Sequence, residues 1–368
     1  MKICFLTHNL RQDNGAGVFS RRLIAELSKT LNAEAVVLTA VPAGMPYELP
    51  LLSGGKMRVA LRLWRIRRAI QKCDLVHALD VFPYGIIAAV ASLGLGKKLI
   101  ITAIGSGSIL PLYHSFYAPL ARMAYRRAAA ITAISAFTKG EILKKMLDLK
   151  IEVINPGVDI QEFATSDLRP PTSDPIQKYK PYILSVGQLR WRKGYHLSIR
   201  AFAKIASRFP SLHYVIIGKH YTDIYDRRLE HLIVSLGLQE RVHILTHIDT
   251  RAVLAAFYKN AQLFCLFSQN LLHDVEGFGL VFLEAAAAGL PVVGSKNCGI
   301  DDAVRDGENG ILVPTRDPED FAQAIITILG DEKLKKEMRM RSLALARSAG
   351  WEKRIAEYHG VYEDLGLR

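Results

Sequence analysis

Two acids eight positions apart, Glu276 and Glu284, stand out in residues 273–290 (HDVEGFGLVFLEAAAAGL). A carboxylate accepts hydrogen bonds in pairs, which suits the vicinal hydroxyls of a sugar or a ribose. Between the acids, Gly277, Phe278, Gly279, Leu280 and Val281 lead into an Ala-, Leu- and Glu-rich run at 279–288 that reads as a helix, with Gly289 placed to stop it. The first N–H groups of a helix lack intrahelical acceptors, and with the helix dipole they attract an anion; a diphosphate is the natural occupant. Flanking acids would repel that phosphate, so their work lies beyond its two ends. At about 1.5 Å of rise per residue the acids are roughly 12 Å apart along the axis, the reach from one sugar across a diphosphate to another. The stretch therefore suits a nucleotide-sugar. An amphipathic helix carrying two solvated glutamates has the same spacing, and spacing alone does not separate the readings.

The elements that must position these residues come next. Residues 261–267 (AQLFCLF) form an apolar run of strand length, so Glu276 falls in the loop of a strand–loop–helix unit. Another strand, 182–186, runs into a turn holding Gln188, Arg190, Arg192 and Lys193. Three cations in four residues at a strand's C-terminal end face either a diphosphate or solvent. Near the N-terminus, Asn14-Gly15-Ala16-Gly17 joins a strand at 2–7 to a helix at 18–31. Glycines there let backbone approach a ligand, although any tight strand–helix turn favours them. The loop is not a dinucleotide fingerprint, because Ser20 fills the last glycine slot.

Strand and helix patterns alternate along all 368 residues, which argues for parallel sheets with crossover helices, and the length suits two domains. Strands are expected at 2–7, 33–38, 75–78, 99–103, 129–133 and 151–154, then at 182–186, 212–217, 242–245, 261–267, 291–294 and 311–313. The Pro-, Ser- and Asp-rich segment 166–180 reads as a linker between domains 1–165 and 181–350. Four separated cysteines read as core residues of a reducing compartment. No apolar run reaches the ~18 residues of a membrane span, and the N-terminus lacks a signal-peptide pattern, so a cytoplasmic protein is expected. Of the net charge of +13, most lies in residues 1–173, which hold 22 Lys and Arg against 12 Asp and Glu. A one-sided excess points to an anionic surface or substrate and away from nucleic acid.

The segment EGFGLVFLEAAAAGLPVV resembles the signature of the retaining glycosyltransferase family 4, as do TAISAFTKGEI, INPGVD, LSVGQLRWRKG and DGENGILVP in the same order. The resemblance implies a GT-B fold, two Rossmann-like α/β domains facing an interdomain cleft, with the C-terminal helix 351–368 crossing back onto the first domain. It implies a hexosyltransferase, of EC class 2.4, that uses a nucleotide diphosphate-sugar as co-substrate and retains anomeric configuration. By the same resemblance Glu276 contacts the donor sugar and Glu284 the ribose. The 277–281 amides and Lys193 meet the diphosphate, and Gly15 and Gly17 lie near it. Gln188 stands where the family carries an arginine, so Arg190 or Arg192 would supply that charge. No Asp-x-Asp triplet is present to hold a divalent ion on a diphosphate, and metal-independent transfer without a cofactor is expected.

On the acceptor side the family often carries a histidine where this chain has Ile104, which neither donates a hydrogen bond nor shuttles a proton. The polar candidates nearby are His77, Asp80, Ser106 and Ser108, to meet a glycan or lipid-linked acceptor of lipopolysaccharide or polysaccharide biosynthesis. His77 also reads as a hydrogen-bonded structural residue. Residues 56–72 (KMRVALRLWRIRRAIQK) form a basic amphipathic helix, with Val59, Leu63, Ile66 and Ile70 on one stripe and Arg58, Arg62, Arg65 and Lys72 on another. Such a helix suits docking on an anionic membrane at the cytoplasmic face, and equally a core-packed helix with a solvated face. Two other functions fit the sequence: a sugar-nucleotide-binding protein without turnover, and a nucleotide-sugar epimerase or phosphorylase-like enzyme.

Overall fold

The computed structural model describes residues 1–164, 176–248, 250–314 and 316–366. They fall into two compact units, Met1–Pro156 with Trp351–Arg368, and Gly157–Gly350. The break thus precedes the expected boundary at 165. Residues 157–164 join the second unit because the Val158 N–H donates to the Ala349 carbonyl (3.0 Å) and Phe163 packs edge-on to Tyr258. Of the expected linker, 166–175 lies outside the described residues, and 176–180 belongs to the second unit.

The first unit is built on a parallel sheet of β1 (Lys2–Thr7), β2 (Glu34–Thr39), β3 (Glu48–Leu49), β4 (Leu75–Leu79), β5 (Lys98–Ala103), β6 (Ala130–Ala133) and β7 (Glu152–Val153), in the order β3-β2-β1-β4-β5-β6-β7. The central strands are near-continuous apolar runs because helices cover both faces. Chain order reverses between β1 and β4, so the crevice of this unit opens at their C-terminal ends. The edge pair β3 was not legible as a strand.

Helix α1 (Gly15–Thr30) starts three residues earlier than its apolar pattern suggests, since Asn14 caps it by accepting from the Gly17 N–H (2.8 Å). Gly15 and Gly17 are therefore the first turn of a helix and not a loop. A Cβ on Gly17 would lie 2.1 Å from the Arg11 carbonyl, so the preceding turn already accounts for this glycine. The basic stretch is two helices, α2 (Gly55–Leu61) and α3 (Leu63–Gln71), broken at Arg62, whose guanidinium is held by the Ser53 carbonyl. Helix α4 (Ser106–Tyr113) follows β5. The last helix, Trp351–Asp364, packs on this unit through Trp351 against Phe19 and through Tyr362 against His77.

The second unit has β8 (Tyr182–Val186), β9 (His213–Ile217), β10 (Val242–Leu245), β11 (Leu263–Leu266), β12 (Val292–Ser295) and β13 (Gly310–Val313), all parallel, in the order β10-β9-β8-β11-β12-β13. Its order reverses between β8 and β11, which brings together the cation-rich turn and the acid-bearing loop. Helix α5 (Tyr195–Ile205) leaves that turn, and α6 (Leu280–Ala287) leaves that loop. All four cysteines are buried and unpaired, and among the described residues no helix is long and apolar enough to cross a membrane.

Candidate active site

The turn after β8 is a short 3-10 coil, Trp191–Lys193, closed by Gly194 in the left-handed region (φ 66°). A Cβ on Gly194 would sit 1.9 Å from the Phe267 carbonyl, so only glycine lets the turn lie against the end of β11. This contact aims Lys193 at the loop after β11. There three donors converge on one oxygen, Oε2 of Glu276: Lys193 Nζ at 2.6 Å, Arg192 Nη1 at 2.9 Å and Ser268 Oγ at 3.0 Å. Glu276 is buried at 7% exposure, which decides against a solvated glutamate. Burial alone would raise its carboxyl, but Lys193 and Arg192 outweigh this and hold it at about 2. Burial lowers the Lys193 ammonium, against the pull of Glu276.

Helix α6 begins at Leu280, with Gly279 as its left-handed cap, so the 12 Å ruler applies only to its C-terminal part. The N–H groups of Gly279, Leu280 and Val281 have no acceptor among the described residues, whereas that of Phe282 is bound by the Gly279 carbonyl (2.8 Å). Gly277 and Phe278 are buried, and Phe278 offers a site only its backbone. Glu284, four residues into the helix, faces inward and accepts from Tyr258 Oη (2.9 Å) and Arg251 Nη2 (3.0 Å). Arg251 is shared with Glu162 (2.7 Å), so its charge is held between two carboxylates.

Of the remaining donor candidates, Arg192 joins Glu276 and reaches Asp274 (3.3 Å), whereas Arg190 stacks on Tyr221 with its Cζ 4.2 Å from the ring centre. Gln188 is exposed and outside this cluster. The cation that accompanies Lys193 is thus Arg192. Gly15 and Gly17 belong to the other unit.

In the first unit, His77 does not meet an acceptor. It is fully buried, with Nδ1 on Tyr362 Oη and Nε2 on Thr102 Oγ1, both at 2.7 Å, and burial lowers it to about 3, a neutral core residue. Ser108 is also buried; its hydroxyl donates to Asp80, and its role is to hold that carboxylate. Asp80 follows β4 directly with φ 88°, a conformation rare for a residue with a side chain, and is half-buried. Burial pushes its carboxyl up to about 7 against hydrogen bonds from Ser108, the Ile104 N–H and the Val81 N–H. A Cβ on Gly107 would lie 2.3 Å from the Asp80 carboxylate, so the first turn of α4 wraps it closely. Ser106 is half-buried in that same turn.

His8, Ser268, Arg251 and Tyr258 are among the residues that escaped the sequence reading. His8 follows β1 directly and shares a 2.9 Å hydrogen bond with Tyr84; its place just past a strand's C-terminal end was the available signal. Ser268 follows β11 in the same way. Arg251 and Tyr258 sit two helical turns apart on Arg251–Asn260, a spacing with no chemical mark of its own.

The family described as "Glycosyltransferase Family 4" matches residues 13–162, and that described as "Glycosyl transferases group 1" matches residues 171–344. The D-inositol 3-phosphate glycosyltransferase of Kribbella flavida is 32% identical over 210 residues, 55% of this chain and 48% of that protein. The chain spans about half the length of the curated relatives it matches. Anabaena Alr3699/HepE, solved with UDP and glucose, superposes with a TM-score of 0.79 at 20% identity, over 99% of this chain and 100% of that one. The sucrose-phosphate synthase of Thermosynechococcus elongatus gives 0.82 at 19% identity, over 99% and 98%. These structures share the two-sheet GT-B fold.

Proposed function

Because this chain belongs to glycosyltransferase family 4, we propose that it moves a sugar from a nucleotide diphosphate donor to a hydroxyl acceptor with retention at the anomeric carbon. The observation that carries this reading is the convergence of Lys193, Arg192 and Ser268 on a single oxygen of buried Glu276, beside the open amides of α6. The three donors keep the carboxylate ionised and leave Oε1 to accept from a hydroxyl of the transferred sugar. The diphosphate lies on the Gly279, Leu280 and Val281 N–H groups, where the helix dipole and Lys193 stabilise the charge that builds up as the glycosidic bond breaks. Glu284, steadied by Arg251 and Tyr258, takes the ribose hydroxyls. No divalent ion is needed in this scheme, since the chain's own cations and amides meet the diphosphate charge.

The acceptor is a glycan or lipid-linked saccharide, of the kind built in lipopolysaccharide or polysaccharide synthesis, and the enzyme works at the cytoplasmic face of an anionic membrane. The support is the surface of α2 and α3. Ile66 and Ile70 are buried in the core, while Met57, Leu61 and Trp64 stand 79%, 72% and 63% exposed beside exposed Arg58, Arg65 and Arg68. Exposed apolar side chains on two adjoining helices, ringed by arginines, match an anionic lipid interface. Ile104 favours a second reading, a protein that binds the donor without turnover, because it puts an aliphatic group where the family often carries histidine.

A screen for nucleotide release from UDP-, GDP- and ADP-sugars, with and without glycolipid acceptors, tests the proposal. Acceptor-dependent release of one nucleotide is expected. Tight nucleotide binding with no release under any condition would establish the binding protein instead.

A further inference from the structure

Glu284 is joined to Glu162 through a shared cation. Arg251 opens the helix Arg251–Asn260, where the helix dipole disfavours a positive charge unless anions stand beside it. Among the described residues two carboxylates meet it. Glu162, in the short helix Ile160–Ala164, takes one edge of the guanidinium with both oxygens: Nε donates to Oε1 (2.7 Å) and Nη2 to Oε2 (3.2 Å). Phe163, the next residue, lies under the same guanidinium, its ring centre 5.5 Å from Cζ. Glu284 receives a single bond, from Nη2 to Oε1 (3.0 Å), while Tyr258 donates to Oε2 (2.9 Å). A forked pair is stronger at a buried acid, where charge is less screened. Yet the Glu284 side chain is 6% exposed and that of Glu162 32%, and the fork goes to Glu162.

This division leaves Glu284 a defined remainder. An ionised carboxyl offers about four acceptor sites, roughly two on each oxygen. Arg251 uses one on Oε1 and Tyr258 one on Oε2, so each oxygen keeps one. Vicinal hydroxyls, with one donor apiece, match that remainder. If Arg251 turned its fork onto Glu284, a second guanidinium N–H would take a site that a ribose hydroxyl needs. Glu162 prevents this by occupying Nε and Nη2 together. Arginine and a carboxylate favour the forked geometry, so without Glu162 the fork passes to Glu284.

We propose that Glu162 is a positioning residue of the donor site, which acts through Arg251 to keep Glu284 open to the ribose hydroxyls. The inference rests on the assignment of Glu284 to the ribose and deepens it. Its test is calorimetry on the whole chain, comparing whichever of UDP, GDP and ADP binds with its 2′,3′-dideoxy counterpart. The ratio of the two affinities is read within each protein, so long-range charge effects on the diphosphate and any loss of folded material cancel. Hydrogen bonds from both hydroxyls to an ionised group are at stake, and the parent should favour the ribonucleotide by at least about tenfold. Glu162→Gln removes the competing anion and should cut that preference to roughly twofold, as the fork moves to Glu284. Adding Arg251→Lys keeps the cation but removes the fork, and should restore most of the preference. A residue that merely braced the fold would give no such rescue. A preference retained in Glu162→Gln, or lost there and not restored by Arg251→Lys, overturns the role of Glu162 and leaves Glu284 on the ribose. A parent protein that binds the nucleotide without distinguishing the pair overturns the ribose assignment and this inference with it. Failure of every nucleotide to bind overturns the donor site as a whole.

Discussion

The two units use the same sheet order and place an acid at the same kind of crevice, yet they treat its charge in opposite ways. In the second unit Glu276 is surrounded by Lys193, Arg192 and Ser268 and is held at about 2. In the first, Asp80 is enclosed by the first turn of α4, with Ser108 and two backbone N–H groups but, among the described residues, no cation on its carboxylate, and burial lifts it to about 7. What differs is the turn that faces each acid. The segment after β8 delivers Arg192 and Lys193, whereas the segment after β5, GSGS, delivers small neutral residues. One crevice is built to keep a fixed negative charge among positive ones, which suits a site that must grip and polarise a diphosphate donor. The other holds an acid that can gain or lose a proton near neutrality, which suits recognition of a hydroxyl.

The largest expected effect comes from removing the fixed charge. Glu276→Gln keeps the shape of the side chain but leaves Lys193 and Arg192 without their anion. Loss of one preorganised electrostatic contact typically costs on the order of a hundred- to a thousandfold in turnover, and we expect that loss in acceptor-dependent transfer. Affinity for the bare nucleotide should change by less than about threefold, since the contacts proposed for ribose and diphosphate remain. The same change breaks a buried ion pair, which costs about 3–5 kcal/mol, so thermal unfolding should register it as well. Steady-state kinetics beside nucleotide calorimetry would read the split; turnover within threefold of the parent would break the comparison at its stronger end.

The next effect lies on the basic surface of the first unit, along α2 and α3. Replacing Arg58, Arg65 and Arg68 together with Gln removes three exposed charges and touches no core contact. Each basic residue near an anionic bilayer contributes about 1 kcal/mol, so binding to vesicles rich in anionic lipid should weaken roughly a hundredfold, with neutral vesicles unaffected. Arg62 is left out because the Ser53 carbonyl holds it (3.1 Å). Unchanged flotation with anionic vesicles would reduce this surface to a solvated one.

Much of this contrast was legible in the sequence, and the illegible part has definite causes. The alternating apolar runs located twelve of the thirteen strands, because a parallel strand buried on both faces leaves a continuous apolar signature. β3 has only two residues and no such run. Glu276, Lys193 and the start of α6 were visible because glycines and charges mark the turns at strand ends. Their pairing was not, because it depends on Gly194 fitting under the Phe267 carbonyl, a contact between residues 73 positions apart. His77 stayed ambiguous because a histidine near a strand's end looks the same whether it faces a ligand or, as here, Tyr362 on the last helix. The break at Arg62 was hidden because the apolar stripe of 56–72 runs through it unbroken.

The smallest effect is the most direct test of the two charge environments, because they impose opposite pH slopes. Glu276 lies below its ordinary 4.5, at about 2, so its contribution to stability is present above 4.5 and is lost as pH falls through 2. Asp80 lies above its ordinary 3.8, at about 7. Between those values the folded chain holds a proton that the unfolded chain has released. The contribution of Asp80 is therefore complete below 3.8 and is lost as pH rises through 7. Asp80→Asn carries a permanent neutral amide and removes that slope. Measured by calorimetry across this window, the melting temperature of the first unit in the parent protein should fall relative to Asp80→Asn as pH rises. Half-buried Asp80 realises about half of the ~4 kcal/mol that the full shift implies, so at roughly 2–4 °C per kcal/mol the relative change should be on the order of 5 °C. Parallel curves for the two proteins would mean that Asp80 is ionised throughout, and the two crevices would then hold their acids in the same state.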